Sequence, residues 1–330
     1  MWRCTGPRWS RSESGDAGRR YVQGLGWYCA ERGAERVSPL PAGKVLAFSV
    51  RGERRCLGVR RGGRRTPCPY AAVLDGASAK DQCPSCAGLD RSRSVAADTM
   101  ADDPRPYAVY LAYFGPGLLK VGITAVERGS ARLVEQGAVA YAWLGRGPLM
   151  AARRAEALLG SALAVPDRFG KAAKRAARRV LPSASERAAE LSQLHGRARE
   201  LAGWPETLEP VAFECVDHAE LFGLDRIPAE VAELGVPEAG AEIVGEVVAG
   251  VGADVYLRLR RAPVTAGVGE SPGGQVVSGD TGVAVLDLRV LSGWVLGAAS
   301  GAVTTVPVRE GEAGRGVGGG EGGAGQEGLF

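Results

Sequence analysis

The chain contains no asparagine, two histidines, three methionines and only five lysines beside 36 arginines. Arginine in such excess over lysine, with asparagine absent, matches the codon bias of a GC-rich genome, so arginine content alone says little about binding. No HExxH motif is present and no GxxxxGK[ST] loop, which excludes those zinc-protease and P-loop chemistries. The GxGxxG match in the glycine-rich tail has no strand before it and no helix after it, which excludes a dinucleotide site there. His195 lies in a polar helical stretch and reads as exposed. His218 follows Cys215 at half of a metal-site spacing with no second half nearby, so neither histidine reads as a catalytic base. No run approaches the roughly 20 apolar residues of a spanning helix. The first twenty residues carry arginines, Trp2, Cys4 and Trp9 but no apolar stretch, so neither a signal peptide nor a membrane anchor is expected. The seven cysteines are odd in number and unevenly placed, which fits a reducing, cytoplasmic setting better than a disulfide framework.

The net charge of +4 conceals a gradient. Residues 1–100 hold 18 basic and 9 acidic side chains, residues 101–200 hold 16 and 9, and residues 201–330 hold 7 and 19. A basic front attracts polyanions such as DNA or RNA, or docks on the acidic rear, or is a solvated surface. Composition divides the chain into an irregular Arg-rich stretch (1–41), a cysteine-bearing segment (42–101), a central core (102–204), an acidic β-rich part (205–308) and a disordered Gly/Glu tail (309–330). The fold class expected is α+β.

Cys56, Cys68, Cys83 and Cys86 fall in one Gly- and Pro-punctuated window, the last two as a CPxC turn. Four soft thiolates suit a tetrahedral structural zinc ion, and a CxxC turn places two sulfurs on one side of it. A redox CxxC needs a strand-to-helix setting, whereas the local sequence reads only as turns; incidental free thiols are the third reading. Arg51, Arg54, Arg55, Arg60, Arg61, Arg64 and Arg65 crowd the start of this segment as a phosphate-contacting patch or a solvated loop.

In the core, residues 107–114 (YAVYLAYF) read as a strand covered on both faces, Gly115-Pro116-Gly117 as a turn, and residues 118–124 as the returning strand. A short helix over 127–136, a strand over 138–144 and helices over 149–163, 169–181 and from Ser183 to about residue 202 complete a β-β-α-β-α-α order; Ser183 and Glu186 form a capping box. Leu149, Ala152, Glu156, Leu159 and Leu163 share one helix face, so Glu156 interrupts an apolar stripe. A carboxylate there needs a metal, an exposed rim, or an ion pair with Arg132, Arg153 or Arg154. Lys171, Lys174, Arg175, Arg178 and Arg179 follow helical spacing along one face, which could track a nucleic-acid backbone, face solvent, or meet the acidic rear part. Strands are expected over 44–50, 242–248, 254–259 and 283–290, with a long loop over 262–280.

The run Ala108-Val109-Tyr110, a turn, and Lys120-Val121-Gly122 followed by Ile123-Thr124 resembles the paired-strand motif of the GIY-YIG nuclease superfamily over residues 105–170. From the CPxC turn through the segment 132–138, the chain also resembles an uncharacterised bacterial domain-of-unknown-function family that joins a cysteine cluster to such a core. The superfamily resemblance implies a Mg²⁺-dependent endonuclease with Tyr110 near the attacking water, Arg132, with Arg128 the second choice, on the phosphate and Glu156 on the metal. Lys120 stands where that pattern has a tyrosine and could bind phosphate as a point charge. No histidine follows in the arginine helix and no asparagine is available. A catalytically silent nucleic-acid-binding module and a protein-interaction scaffold are the alternatives.

Overall fold

Trp2, Cys4 and Trp9 belong to a strand rather than to an irregular leader. In the computed structural model, which describes residues 1–11, 21–61, 64–76, 78, 80–90, 103–259 and 282–309, Trp2–Arg11 (β1), Tyr21–Cys29 (β2) and Ala34–Pro39 (β3) form an antiparallel meander. This corrects the reading of residues 1–41. The strand signal is hidden because glycines occupy β2 where neighbouring strands crowd: a Cβ at Gly24 would meet Val37 and Ser38, and one at Gly26 would meet Thr5 and Arg8. The loop expected over 262–280 and the tail from residue 310 lie outside the described residues.

Val45–Arg51 (β4) buries Leu46, Phe48 and Val50. Its backbone groups need partners, and they find them far along the chain. After the small hairpin Val59–Arg61 (β5) and Arg64–Thr66 (β6) and the short helix Pro84–Leu89 (α1) comes the central core. It consists of Tyr107–Tyr113 (β7), Leu119–Ala125 (β8), Ala131–Gln136 (α2), Ala140–Gly147 (β9), Leu149–Leu163 (α3), Lys171–Ala177 (α4) and Ala184–Arg199 (α5). The order expected from the sequence is present. β7 lies between β8 and β9, antiparallel to both, and the two-residue strands Glu209–Pro210 (β10) and Val216–Asp217 (β11) pair with β9. The one-turn helix Ala219–Phe222 (α6) leads into the rear part.

Ala232–Leu234 (β12), Glu242–Val251 (β13), Asp254–Leu259 (β14), Val283–Asp287 (β15), Val295–Ala298 (β16) and Val308–Arg309 (β17) join β4 in one seven-stranded sheet, ordered β16-β4-β13-β14-β15-β12-β17. β4, assigned by composition to the cysteine segment, therefore sits inside the acidic sheet, with Phe48 opposite Ile243 and Ala298. The boundary expected near residue 205 does not separate two independent units. A strand's partner is set by long-range pairing, which composition does not report.

Helix α5 starts as its residues dictate: the Glu186 amide donates to Ser183 Oγ at 3.3 Å and the Ser183 amide to Glu186 Oε2 at 2.8 Å. Removing this box by Ser183→Ala is expected to cost about 1 kcal/mol of stability in a denaturant titration.

The basic helix is turned inward. Arg175 and Arg178 are buried and clamp Asp254 of β14, with Arg175 Nη2 to Oδ1 at 2.5 Å and Arg178 Nη1 to Oδ2 at 2.7 Å. Arg175 also pairs with Glu233 at 2.9 Å, Lys171 with Asp287 at 3.4 Å, and Arg179 donates to the Val231 carbonyl at 3.3 Å. Lys174 Nζ sits 3.8 Å above the Phe114 ring, where burial and the charge of Lys120 bring its pKa down to about 8. The expectation that these five residues track nucleic acid is corrected: the helix uses its charge to hold the core against the acidic sheet.

Candidate metal centre and charged sheet face

Cys56 lies between β4 and β5, Cys68 follows β6, and Cys83 and Cys86 flank the start of α1, with Pro84 in the first turn where a missing amide costs nothing. This helix start replaces the turns expected around the CPxC. All four residues are buried and their sulfurs lie within 4.8 Å of one another, with Cys68 and Cys83 4.0 Å apart. Thiolates at about 2.3 Å from a tetrahedral zinc ion stand about 3.8 Å from each other, so the cluster fits a metal such as zinc. Backbone amides already point at the sulfurs: Cys83 N is 3.2 Å and Gly58 N 3.4 Å from Cys56 Sγ. Burial opposes ionisation of Cys68, yet the amides of Ala72 and Tyr70 and the neighbouring Cys86 and Cys56 thiols bring it down to about 7. Burial pushes the Cys56 and Cys86 thiols up. A helix-start CxxC alone would also suit redox chemistry; two further thiols packed against it favour a metal.

Arg54 ties this segment to the large sheet. Its side chain is fully buried and donates to the carbonyls of Ser292 (2.8 Å), Asp75 (2.8 Å), Ser78 (2.5 Å) and Lys80 (3.0 Å). It is a peg, not a phosphate contact. Arg60 and Arg65 reach Glu35 at 3.4 and 3.3 Å, so part of the patch expected there is neutralised by β3. Arg64 is exposed, while Arg61 lies on β5 with its side chain outside the described residues.

On β7 the side chains alternate, with Tyr107, Val109, Leu111 and Tyr113 in the main core and Ala108, Tyr110 and Ala112 on the opposite face, where Phe114 just beyond the strand joins them. Tyr110 lies against Gly122 of β8, whose lack of a side chain leaves room for the ring. Its hydroxyl accepts from Gln136 Nε2 at 3.0 Å, and burial pushes its pKa up. Lys120, paired across β8 with Ala112, shares that face and donates to the Asp167 carbonyl at 2.7 Å; burial and then Arg132 lower its pKa. Arg132 projects from α2, half-exposed, with Glu135 4.0 Å away. Arg128 is held by Glu135 at 2.7 Å.

Glu156 of α3 is half-buried beside the buried Ala152, Ala155 and Leu159. Burial raises its pKa and the Lys120 charge opposes the shift; it makes no ion pair with a described residue, including Arg132, Arg153 and Arg154. Tyr110 feels the charges of both Arg132 and Glu156, and Lys120 feels the same two. Tyr110 and Lys120 thus share one face of the hairpin, and Arg132 and Glu156 lie near enough for their charges to act on both. Asp167 and Gln136 were not singled out, although Gln136 stands four residues after Arg132 on the same helix face, a spacing that makes it a neighbour.

The histidines serve packing. His195, expected to be exposed, is buried with Phe213 5.4 Å away, and His218 Nδ1 lies 2.9 Å from the Ala138 carbonyl with its ring near Tyr141 and Phe222. No helix among the described residues is long and apolar enough to cross a membrane.

No curated protein and no solved structure matches the chain significantly. A family model does match, from β4 to β16, two strands that pair side by side, so its span closes on itself and encloses both the cysteine cluster and the Tyr110 face. Covering residues 43–296, more than three quarters of the chain, that match makes the chain a member of the family described as "Protein of unknown function (DUF2797)".

Proposed function

We propose that this chain is a zinc-stapled nucleic-acid-binding protein whose Tyr110 face hydrolyses phosphodiester bonds in the manner of a GIY-YIG endonuclease. The observation that carries the proposal is that Tyr110 and Lys120 share one face of the β7–β8 hairpin and both feel the charges of Arg132 and of Glu156, a carboxylate with no ion pair among the described residues. The antiparallel order β8-β7-β9, with the arginine helix before the third strand and the glutamate helix after it, supports the resemblance read in the sequence. Each residue has a role. Arg132 and Lys120 offset the negative charge that gathers on a phosphorane-like transition state. Tyr110, kept protonated by burial, retains its own hydrogen for donation because its oxygen is the acceptor from Gln136. Glu156 is the carboxylate that would hold a divalent ion such as Mg²⁺, which when bound neutralises charge on the scissile phosphate.

The alternative, a silent binding module, is favoured by one observation: Tyr110 is only 2% exposed. Nicking of plasmid DNA and of RNA by the full chain in Mg²⁺ or Mn²⁺ decides between them. Glu156→Gln is expected to lower the rate by at least about 100-fold. The same change is expected to raise stability, read as a higher urea midpoint, because a carboxylate whose folded pKa is raised binds its proton more tightly in the folded state. Its charged form is a liability at neutral pH that eases as pH falls through that raised value. Binding without cleavage in either metal would reject the nuclease reading and retain the module.

A further inference from the structure

The largest departure of β9 from regular pairing lies beside Tyr110. Val109 pairs with Gly145 but Tyr110 pairs with Trp143, so Leu144 is an extra residue in β9. In a regular strand Trp143 and Arg146 would point to opposite faces. The bulge changes the parity: Tyr141, Trp143 and Arg146 pair in turn with Ala112, Tyr110 and Ala108, and all share the Tyr110 face. Opposite Arg146 stands Ala108, whose small side chain leaves space. The space is a cavity of about 480 Å³ floored by Ala108, walled by Tyr21, Tyr141 and Trp143, and flanked by Arg11 and Arg146.

Each wall is held in place. Trp143 meets Tyr141 edge-on at 5.3 Å and Tyr110 at 6.2 Å, and Ser130 Oγ bonds the Tyr21 hydroxyl at 3.2 Å. Both arginines are exposed, and neither makes a hydrogen bond or ion pair with a described residue. Elsewhere in this molecule arginines beside the core are matched by carboxylates or carbonyls, as at Arg54, Arg175, Arg178 and Arg187. Two guanidinium groups with no partner among the described residues, beside three aromatic rings, make a site for a flat, electron-rich ring that carries an anion. Arg11 and Tyr21 come from the meander that precedes the family span, so this end of the face is supplied by the chain's own first strands.

We infer that this cavity binds one nucleotide, with its base against Trp143 and Tyr141 and its phosphate on Arg11 and Arg146. The volume lies within the range of about 300–1,000 Å³ usual for small-ligand sites. Base-on-aromatic stacking tolerates any base, and arginine forks match phosphate oxygens. The nucleotide is either free or part of a strand that continues to Tyr110; only the strand form rests on the function proposed above.

The test is isothermal titration of the full chain with a 5′-mononucleotide, its nucleoside, inorganic phosphate and a short single-stranded oligonucleotide. Mononucleotide binding that exceeds both nucleoside and phosphate, and that falls at least about tenfold in Arg146→Ala, assigns a free nucleotide. Binding of the oligonucleotide alone, weakened by both Arg146→Ala and Trp143→Leu, assigns a nucleotide within a strand. Arg146 is exposed, so its variant keeps the fold whatever Trp143→Leu does. The inference is overturned if neither nucleotide nor oligonucleotide binds, or if the Arg11→Ala/Arg146→Ala pair leaves binding unchanged. An oligonucleotide whose binding responds to Arg132→Glu but not to the Arg11/Arg146 pair would reject this cavity and keep the proposed function. Mononucleotide binding with no affinity for any strand would do the reverse.

Discussion

Chelating the zinc ion proposed for the cysteine cluster, or replacing Cys86 with serine, is expected to unfold residues 52–90 while the seven-stranded sheet survives. The apolar support is small: among the described residues, only Val59, Ala72 and Leu74 pack beside the four buried cysteines. Metal ligation is the term large enough to hold such a segment, worth on the order of 10 kcal/mol in apparent binding. Zinc content by mass spectrometry should be one equivalent per chain and should fall in the serine variant. Limited proteolysis after chelation should cut first within the segment. The peg at Arg54 limits the damage in one direction only, because three of the carbonyls it gathers, those of Asp75, Ser78 and Lys80, belong to the segment, and the sheet side supplies the Ser292 carbonyl. A chain that carries no zinc and resists proteolysis equally with and without chelator would show that the thiols do not hold a metal.

Asp254→Ala is expected to cost about 3–5 kcal/mol, because it leaves Arg175 and Arg178 buried without their shared carboxylate. Glu233 still reaches Arg175, but among the described residues Arg178 keeps only the Tyr256 hydroxyl at 3.3 Å. The effect depends on pH in a defined sense. Burial works against the Asp254 carboxylate, yet Arg178 and Arg175 hold it below the usual carboxylate range. Its stabilisation is therefore complete above the unfolded value of about 3.9 and is lost as pH falls through the lower folded value. Urea unfolding of the native chain and of the variant should differ fully at neutral pH and converge only in strong acid. Equal stabilities at neutral pH would mean that helix α4 is not held by this ion pair.

What the sequence revealed depended on how local the cause was. The hairpin over residues 107–124, the capping box at Ser183 and the Glu156 stripe rest on neighbours within a few positions, and each is where the residues indicated. The four cysteines also come together, since a thiol cluster in one short window has few other arrangements. For the basic helix the sequence left three outcomes open, contact with the acidic rear part among them, because its spacing reports which side is charged, not what that side meets; Asp254, its partner, is about 80 residues away along the chain. The first strands were missed because their glycines look like loop residues until the crowding around them is known. Trp143 and Arg146 lie three apart in a strand, a spacing that places them on opposite faces unless a bulge intervenes, and nothing local announces the bulge at Leu144.

The functional reading stands or falls on whether the Tyr110 face meets nucleic acid. Fluorescence anisotropy of labelled single- and double-stranded oligonucleotides, titrated with the full chain between about 50 and 200 mM salt, measures this directly. The expected result is an affinity that falls linearly on a log–log plot and drops at least about tenfold in Arg132→Glu at constant salt. Affinity that is absent at the lowest salt, or that is untouched by reversing the charge of Arg132, would contradict it.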